Sequence, residues 1–182
     1  MFAVQWDTSS IPDTSIITNT DFDFHIYSVS GTASCDINPM TVDITTGTDT
    51  QIFDDIQDGT SYIDGDTGQC SSTGTNKTFD LGSSADTDLQ NNLTNDFFGI
   101  GLKLDNPLTT GMIRAYASGS GTPDPTLTVT YSLPTVSTPP LSLVASDGLP
   151  IGLAWNVPSS DGNSAIIGYD VARTSSATSL VE

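Results

Sequence analysis

The sequence has few basic residues, a single glutamate and no long apolar run. It carries 22 acidic side chains against four basic ones, giving a formal net charge of −18. Glu, Lys and Arg build exposed helix faces, so their scarcity argues against a helical bundle. Four scattered cations cannot form the basic patch that nucleic acid or an anionic membrane surface requires. We therefore expect no nucleic-acid partner and, without a run of about 18 apolar residues, no membrane insertion.

Motifs of the common enzyme classes are also missing. His25 is the only histidine, and alternation places it between Asp23 and Tyr27 on a polar strand face. This favours a solvated surface histidine over a general base in a Ser-His-Asp triad. The chain has no phosphate-binding glycine loop, no dinucleotide-binding glycine pattern and no H-E-x-x-H zinc motif. Aspartate pairs are frequent, but none is singled out for glycoside hydrolysis. We expect no enzymatic activity from this chain.

What the sequence does contain is apolar alternation. Phe22, Phe24 and Ile26 are separated by single polar or aromatic residues, which is typical of a half-buried strand in an antiparallel sheet. Similar alternation occurs in residues 2–6, 98–104 and 127–131. One short helix is predicted at residues 84–93, with a Ser or Asp cap and early acids at its N-terminus. The prediction is an all-β fold, an antiparallel β-sandwich.

A proline-rich segment divides the chain. Residues 133–140 contain three prolines, which favour an extended, semi-rigid linker. Residues 1–132 precede it as one predicted module, and strand-like alternation restarts in residues 141–182, with predicted strands around Leu153 and Tyr169. We therefore expect two all-β modules.

The segment after the linker resembles a fibronectin type III domain. The resemblance is carried by the following stretches: Pro140–Ala145, Ile151–Trp155, Pro158, Asp161-Gly162 and Ile167–Val171. It implies the first strands of an immunoglobulin-like sandwich, including the core tryptophan. Because that family needs about seven strands and roughly 100 residues, residues 141–182 would supply only its N-terminal half. We expect the chain to be a fragment cut inside this domain.

Residues 1–132 resemble the DNRLRE-type β-sandwich, a jelly-roll-like unit grouped with carbohydrate-binding modules. The match lies in Val4–Pro12, Phe22–Tyr27 and Pro125–Tyr131. The resemblance implies a jelly-roll-like sandwich that lacks its first strand or strands here. It also implies polysaccharide as a partner.

Cys35 and Cys70 are the only cysteines. In a secreted β-sandwich, such a pair favours one disulfide, worth roughly 3–4 kcal/mol in the chain-entropy model. The alternative is two unpaired thiols in loops. Two cysteines and one histidine cannot close a structural zinc site without carboxylates.

The densest acidic stretch contains Asp54, Asp55 and Asp58, followed by Asp64 and Asp66. Oxygen ligands at alternate positions suit calcium, and Asp64-Gly-Asp66 partly imitates a calcium loop. The remaining ligands of that loop are missing, and Asp and Gly also form ordinary turns. The sequence leaves calcium at Asp64 and Asp66 as one interpretation and turn formation as the other.

Asn76 and Asn92 begin N-glycosylation sequons, Asn76-Lys-Thr78 and Asn92-Leu-Thr94. Such triplets matter only in a host that glycosylates secreted proteins, and they also arise by chance in a threonine-rich chain.

Exposed aromatic side chains are the usual sugar-binding surfaces of β-sandwiches. By strand parity or loop position the candidates are Tyr27, Tyr62, Phe97 and Tyr116. Core packing is the alternative role for each of them.

Together these features predict part of a modular extracellular or cell-surface protein. In this hypothesis the chain is a non-catalytic structural or adhesive module that binds carbohydrate or another surface protein. The alternative is an accessory carbohydrate-binding region of a secreted polysaccharide-degrading enzyme whose catalytic domain lies outside the chain. Catalysis by residues 1–132 themselves is a third hypothesis.

Overall fold

The computed structural model describes residues 1–31, 33–74, 76–105, 111–116, 123–146 and 150–172. The chain divides into two compact units, Met1–Ser132 and Leu133–Glu182.

The first unit consists mainly of strands. Its elements are β1 Phe2–Asp7, β2 Ile16–Ser30, β3 Cys35–Met40, α1 Asp49–Gln57, β4 Ile63–Asp66, β5 Asn76–Asp80, α2 Gly82–Asn92, a 3-10 turn at Leu93–Asn95, β6 Phe97–Leu104, β7 Met112–Ala115 and β8 Thr126–Ser132. One sheet has the strand order β1-β6-β3-β4. In the other, β2 pairs with β8 along its first half, with β5 in the middle and with β7 at its end. All these pairings are antiparallel.

The two sheets enclose an aromatic core. The alternation in β2 buries Phe22, Phe24 and Ile26 almost completely. Phe2 and Trp6 of β1 contact this layer, with the Trp6 ring 5.7 Å from Phe22 and the Phe2 ring 6.3 Å from Phe24. Each such buried side chain contributes roughly 1.5–3 kcal/mol of hydrophobic free energy. The predicted antiparallel β-sandwich is confirmed.

A helix that the sequence analysis missed covers the outer face of the first sheet. α1 begins with a capping box, in which Gln51 N donates to Thr48 Oγ1 and Thr48 N donates to Gln51 Oε1. Its buried residue, Ile56, packs over Gly101 of β6. A Cβ atom at Gly101 would lie 2.5 Å from Ile56 Cγ1, so the bare glycine allows the helix to approach.

The predicted helix at residues 84–93 is present as α2, but its predicted cap is wrong. The helix begins at Gly82, and its N-cap is Leu81, which makes no side-chain capping bond. Instead, Asp80 Oδ1 accepts a hydrogen bond from Gly82 N at 2.8 Å, and the first turn contains no acid. Buried Leu81 is held by core packing, which overrides the polar capping signal of Ser84.

The second unit contains the antiparallel pair β9 Leu141–Ser146 and β10 Gly152–Asn156. The predicted strand around Tyr169 is wrong, because residues 165–172 pair with no described strand. Tyr169 instead packs edge-on against Trp155, with ring centroids 5.3 Å apart. Residues 173–182, which belong to the predicted module, lie outside the described residues.

The proline-rich segment at residues 133–140 is hydrogen-bonded within the second unit. Thr135 N donates to Gly162 O at 2.7 Å, and Thr138 N donates to Ser160 O at 3.1 Å. Gly162 has a positive φ of 72°, and a side chain there would collide with the Thr135 carbonyl. These residues therefore line the loop after β10.

Candidate functional site

Three ring side chains meet on the outer face of the second sheet. We call His25, Tyr27 and Tyr116 the aromatic ledge. The Tyr27 and Tyr116 centroids are 4.9 Å apart, and those of His25 and Tyr116 are 5.3 Å apart. Tyr27 is 46% exposed although its neighbour Ile26 is fully buried, as alternation requires. Two of the four predicted aromatic candidates, Tyr27 and Tyr116, are thus brought together.

Backbone pairing holds the ledge in place. The register of β2 against β7 shifts between Ile26 and Ser28, so Tyr27 is the extra residue of a bulge. Beyond the end of β7, Tyr116 N donates to His25 O at 3.1 Å. His25 Nδ1 also lies 3.1 Å from Asn76 Oδ1 of β5. Strands on both sides of β2 therefore fix the ledge.

A cavity of about 410 Å³ opens beside the ledge. Its lining includes Phe2, Tyr27, Leu104, Met112, Arg114 and Tyr116. This volume lies within the range of small-molecule binding sites in proteins, and the mixture of apolar walls with a few polar groups is typical of them.

Arg114 gives this cavity a positive charge. Among the other described basic residues, Lys103 pairs with Asp36 at 3.8 Å, and buried Lys77 donates to Ser72 Oγ at 2.6 Å. Arg114 makes no ion pair with any residue in the described ranges. Its guanidinium is therefore available to a ligand, despite the strongly negative charge of the chain.

The other two aromatic candidates lie elsewhere. The Tyr62 hydroxyl donates to Asp88 Oδ2 at 2.7 Å, and its ring stacks near Phe98. Burial, reinforced by Asp88, raises the Tyr62 pKa well above its usual range. Tyr62 is therefore a packing residue, whereas half-buried Phe97 lines a separate, polar depression.

That depression measures about 540 Å³ and lies near the ends of β1 and β6. Besides Phe97, it is lined by Gln5, Asp7, Asp43 and Asn95. The Thr45 backbone and the Gln5 amide donate to Asp43 and lower its pKa. Hydrogen bonds from Ser9 lower the pKa of Asp7. Both carboxylates are hydrogen-bond acceptors at neutral pH.

The acidic stretch singled out in the sequence separates into different roles. Asp55 accepts hydrogen bonds from Thr41 N, Thr41 Oγ1 and Val42 N, at 2.8–2.9 Å. Asp54 lies on α1, and Asp58 is the C-cap of that helix. These three acids therefore build α1 and its junction with β3.

Asp64 joins a different group from the one predicted. Its carboxylate lies with those of Asp36 and Asp105, and one oxygen from each falls within 4.8 Å of the others. We call these three residues the acidic cluster; they are the described carboxylates best placed to hold a metal ion. Asp66 lies outside it, because its Oδ1 accepts from Gln69 N and Cys70 N at 2.8 and 2.9 Å. Asp66 therefore has the turn-forming role that the sequence left open as the alternative to calcium binding.

Protein groups already compensate part of the charge in the acidic cluster. Buried Asp36 accepts from Gly65 N at 2.9 Å and faces Lys103 Nζ at 3.8 Å. Asp105 Oδ2 accepts from Ser34 Oγ at 3.1 Å. These contacts partly satisfy Asp36 and Asp105, while Asp64 is exposed.

Cys35 and Cys70 form a disulfide, as predicted. Their Cα atoms are 5.9 Å apart, and both residues are fully buried. The bond ties β3 to the segment between β4 and β5, and it encloses α1 within the closed loop. Free-thiol roles for these two residues are thereby excluded.

The two sequon asparagines have different surroundings. Asn76 is exposed at the start of β5, beside His25 of the aromatic ledge. Asn92 ends α2, where its Nδ2 donates to Asp88 O at 3.1 Å and its Oδ1 accepts from Asn95 Nδ2. Glycosylation of either residue stays a prediction, and Asn76 is the more accessible acceptor.

Comparison with known proteins adds no relative. No family model, curated protein or solved structure matches the chain. Within the described residues, none of the helices has the length and apolarity that crossing a bilayer demands.

Sequence reasoning missed Arg114 and two members of the acidic cluster. Arg114 was recoverable, because it stands two positions before Tyr116 and a strand places such residues on one face. Asp36 and Asp105 gave no comparable signal. They meet Asp64 only because β3 pairs with both β4 and β6.

Proposed function

We propose that this chain is a non-catalytic, carbohydrate-binding module of an extracellular or cell-surface protein, with a structural and adhesive role. The observation that carries the proposal is the pairing of Tyr27 and Tyr116 at the rim of a cavity that also contains Arg114. A sugar ring has an apolar face of C–H groups and a rim of hydroxyls. Adjacent aromatic rings with polar neighbours complement both parts.

The disulfide and the charge support an extracellular location. Disulfides persist in oxidising compartments and are rare in reducing ones, and Cys35–Cys70 is fully buried. A net charge of −18 keeps an exposed module soluble and makes copies repel each other. Both properties suit a protein that works outside the cell.

Polysaccharide pull-down followed by calorimetry tests the proposal, using a panel of neutral and acidic glycans. Tyr27→Ala and Tyr116→Ala should each weaken binding about tenfold, which corresponds to about 1.4 kcal/mol per ring. Phe53→Ala is the matched control, because Phe53 is a 53% exposed aromatic residue on α1, away from the ledge. Absence of binding across the panel would refute the carbohydrate role, and undiminished binding by the Tyr27/Tyr116 double variant would refute the aromatic ledge as its site.

Thermal melting in calcium and in a chelator tests the calcium prediction. A cation held by the acidic cluster would stabilise the folded state by mass action, so the melting temperature would rise with calcium. Asp64→Asn should remove this response, and Asp66→Asn should retain it, because Asp66 lies outside the cluster. A melting temperature that calcium leaves unchanged would exclude the site.

A further inference from the structure

A second cleft lies between the turn after β1 and the inner face of β8. We call it the edge cleft; it measures about 240 Å³. Trp6, Thr8 and Ile11 line one side of it, and Val129 and Tyr131 line the other. β1 pairs only with β6 and β8 only with β2, so both strands lie at sheet edges in the described fold. The cleft is therefore a gap at the side of the sandwich.

Two aromatic side chains lie in the walls of the edge cleft. Trp6 is half-buried, and its ring is braced edge-on by Phe22 at 5.7 Å. Tyr131 is 41% exposed at the end of β8, where it pairs with Ile17. A braced indole and an accessible phenol offer ring surface at low entropic cost, because neither side chain is long or flexible.

Polar groups complete the cleft. Asp7 lines it, and its Oδ1 accepts from Ser9 N at 2.9 Å, which orients the carboxylate. Thr8 is only 2% exposed, and its Oγ1 has no hydrogen-bond partner among the described residues. That hydroxyl is sealed from solvent, so the polar contact that the cleft offers to a ligand comes from Asp7.

We infer that the edge cleft is a second sugar-binding site and that one molecule bridges two glycan segments. The inference rests on the proposed carbohydrate function and extends it from binding to cross-linking. Trp6 and Tyr131 stack against a sugar ring, while Asp7 accepts from its hydroxyls. The small volume fits a single ring rather than a long groove-bound chain.

The two sites are too far apart for one sugar unit. Tyr27 of the ledge and Ile17, the partner of Tyr131, are ten residues apart on the same strand, β2. At about 3.3 Å per residue, roughly 30 Å separates the two positions. A protein molecule with both sites occupied therefore joins two separate glycan chains, or two distant parts of one glycan chain.

Calorimetry with short oligosaccharides counts the sites. The probes are cellohexaose, xylohexaose, mannohexaose and hexagalacturonate. For a probe that binds, we expect two sites per molecule in the wild-type protein and one in Tyr131→Ala. The Tyr27/Tyr116 double alanine variant should also retain one site, and the variant combining all three changes should retain none. Phe53→Ala should keep both.

Tryptophan fluorescence gives a readout that does not depend on mutating the cleft. The chain has two tryptophans, so Trp155→Phe leaves Trp6 as the only tryptophan, and selective excitation separates its emission from that of the tyrosines. Binding at the edge cleft should then change the emission, and Tyr27/Tyr116 substitution should leave that change intact. Light scattering should further show that the wild-type protein cross-links the parent polysaccharide. Tyr131→Ala and the Tyr27/Tyr116 double variant, which each keep one site, should not cross-link it.

This inference would be overturned if calorimetry found one site per molecule that is lost in the Tyr27/Tyr116 double variant and retained in Tyr131→Ala. That result would leave the proposed function intact. Trp6 emission that no probe alters would have the same meaning. Absence of binding to every probe and parent polysaccharide would defeat the proposed function itself.

Discussion

The disulfide between Cys35 and Cys70 allows a quantitative prediction. It closes a loop with a sequence separation of 35 residues. The chain-entropy relation then gives a stabilisation of about 4 kcal/mol at 25 °C, because the unfolded chain loses the freedom of that loop. For the unit Met1–Ser132, an unfolding entropy of about 2.1 cal/mol/K per residue sums to about 0.28 kcal/mol/K. Breaking the bond should lower the melting temperature by about 14 °C.

Calorimetric melting of oxidised protein, reduced and thiol-blocked protein, and Cys35→Ala/Cys70→Ala measures this effect. Because both cysteines are fully buried, reduction should require partial denaturation before blocking. The blocked protein carries added bulk in the core, so the double alanine variant separates packing from loop closure. A decrease below about 4 °C in that variant would refute the loop-entropy reasoning, and free thiols found by mass spectrometry in the purified, non-reduced protein would refute the disulfide itself.

Three further predictions concern packing and pH. Gly101→Ala should destabilise the first unit by about 1–3 kcal/mol in urea unfolding, because its Cβ would collide with Ile56. Gly99→Ala should lower the stability less, because the nearest contact of its Cβ would be at 3.3 Å. Equal losses of stability in the two variants would contradict this packing. The lowered pKa of Asp43 adds stability above pH 3.8, and this stability is lost as pH falls through the pKa of the folded state. The melting temperature of Asp43→Asn should therefore fall less steeply at acid pH than that of the wild-type protein. The raised pKa of Tyr62 adds stability that is lost as pH rises above about 10. The melting temperature of Tyr62→Phe should therefore fall less steeply at alkaline pH than that of the wild-type protein. An equally steep fall in both proteins would count against the hydrogen-bonded burial of Tyr62.

The sandwich was predictable because its signal is local. Phe22, Phe24 and Ile26 alternate with outward residues, and a period of two assigns each side chain to a face without knowledge of the partner strand. The same rule placed Tyr27 outward. It could not place Tyr116 beside Tyr27, because that contact depends on the pairing of β2 with β7 and on the bulge at Tyr27.

The helix α1 was missed because its sequence resembles a turn. Its aspartates suggested calcium ligands or loops, and its stabilising partner, Gly101, stands far along the chain. The capping box formed by Thr48 and Gln51 was the local signal that could have identified it. The acidic cluster has no local signal, because strand register alone assembles Asp36, Asp64 and Asp105.

The position of the disulfide also limits how far the module stretches under tension. A pull applied at the two ends of the first unit cannot extend the segment between Cys35 and Cys70, which would span about 120 Å if fully drawn out. That segment includes α1 and β4, so both stay within a covalently closed ring even when the surrounding strands are pulled apart. Under tension the unit would therefore extend by a shorter step than the same unit without the disulfide.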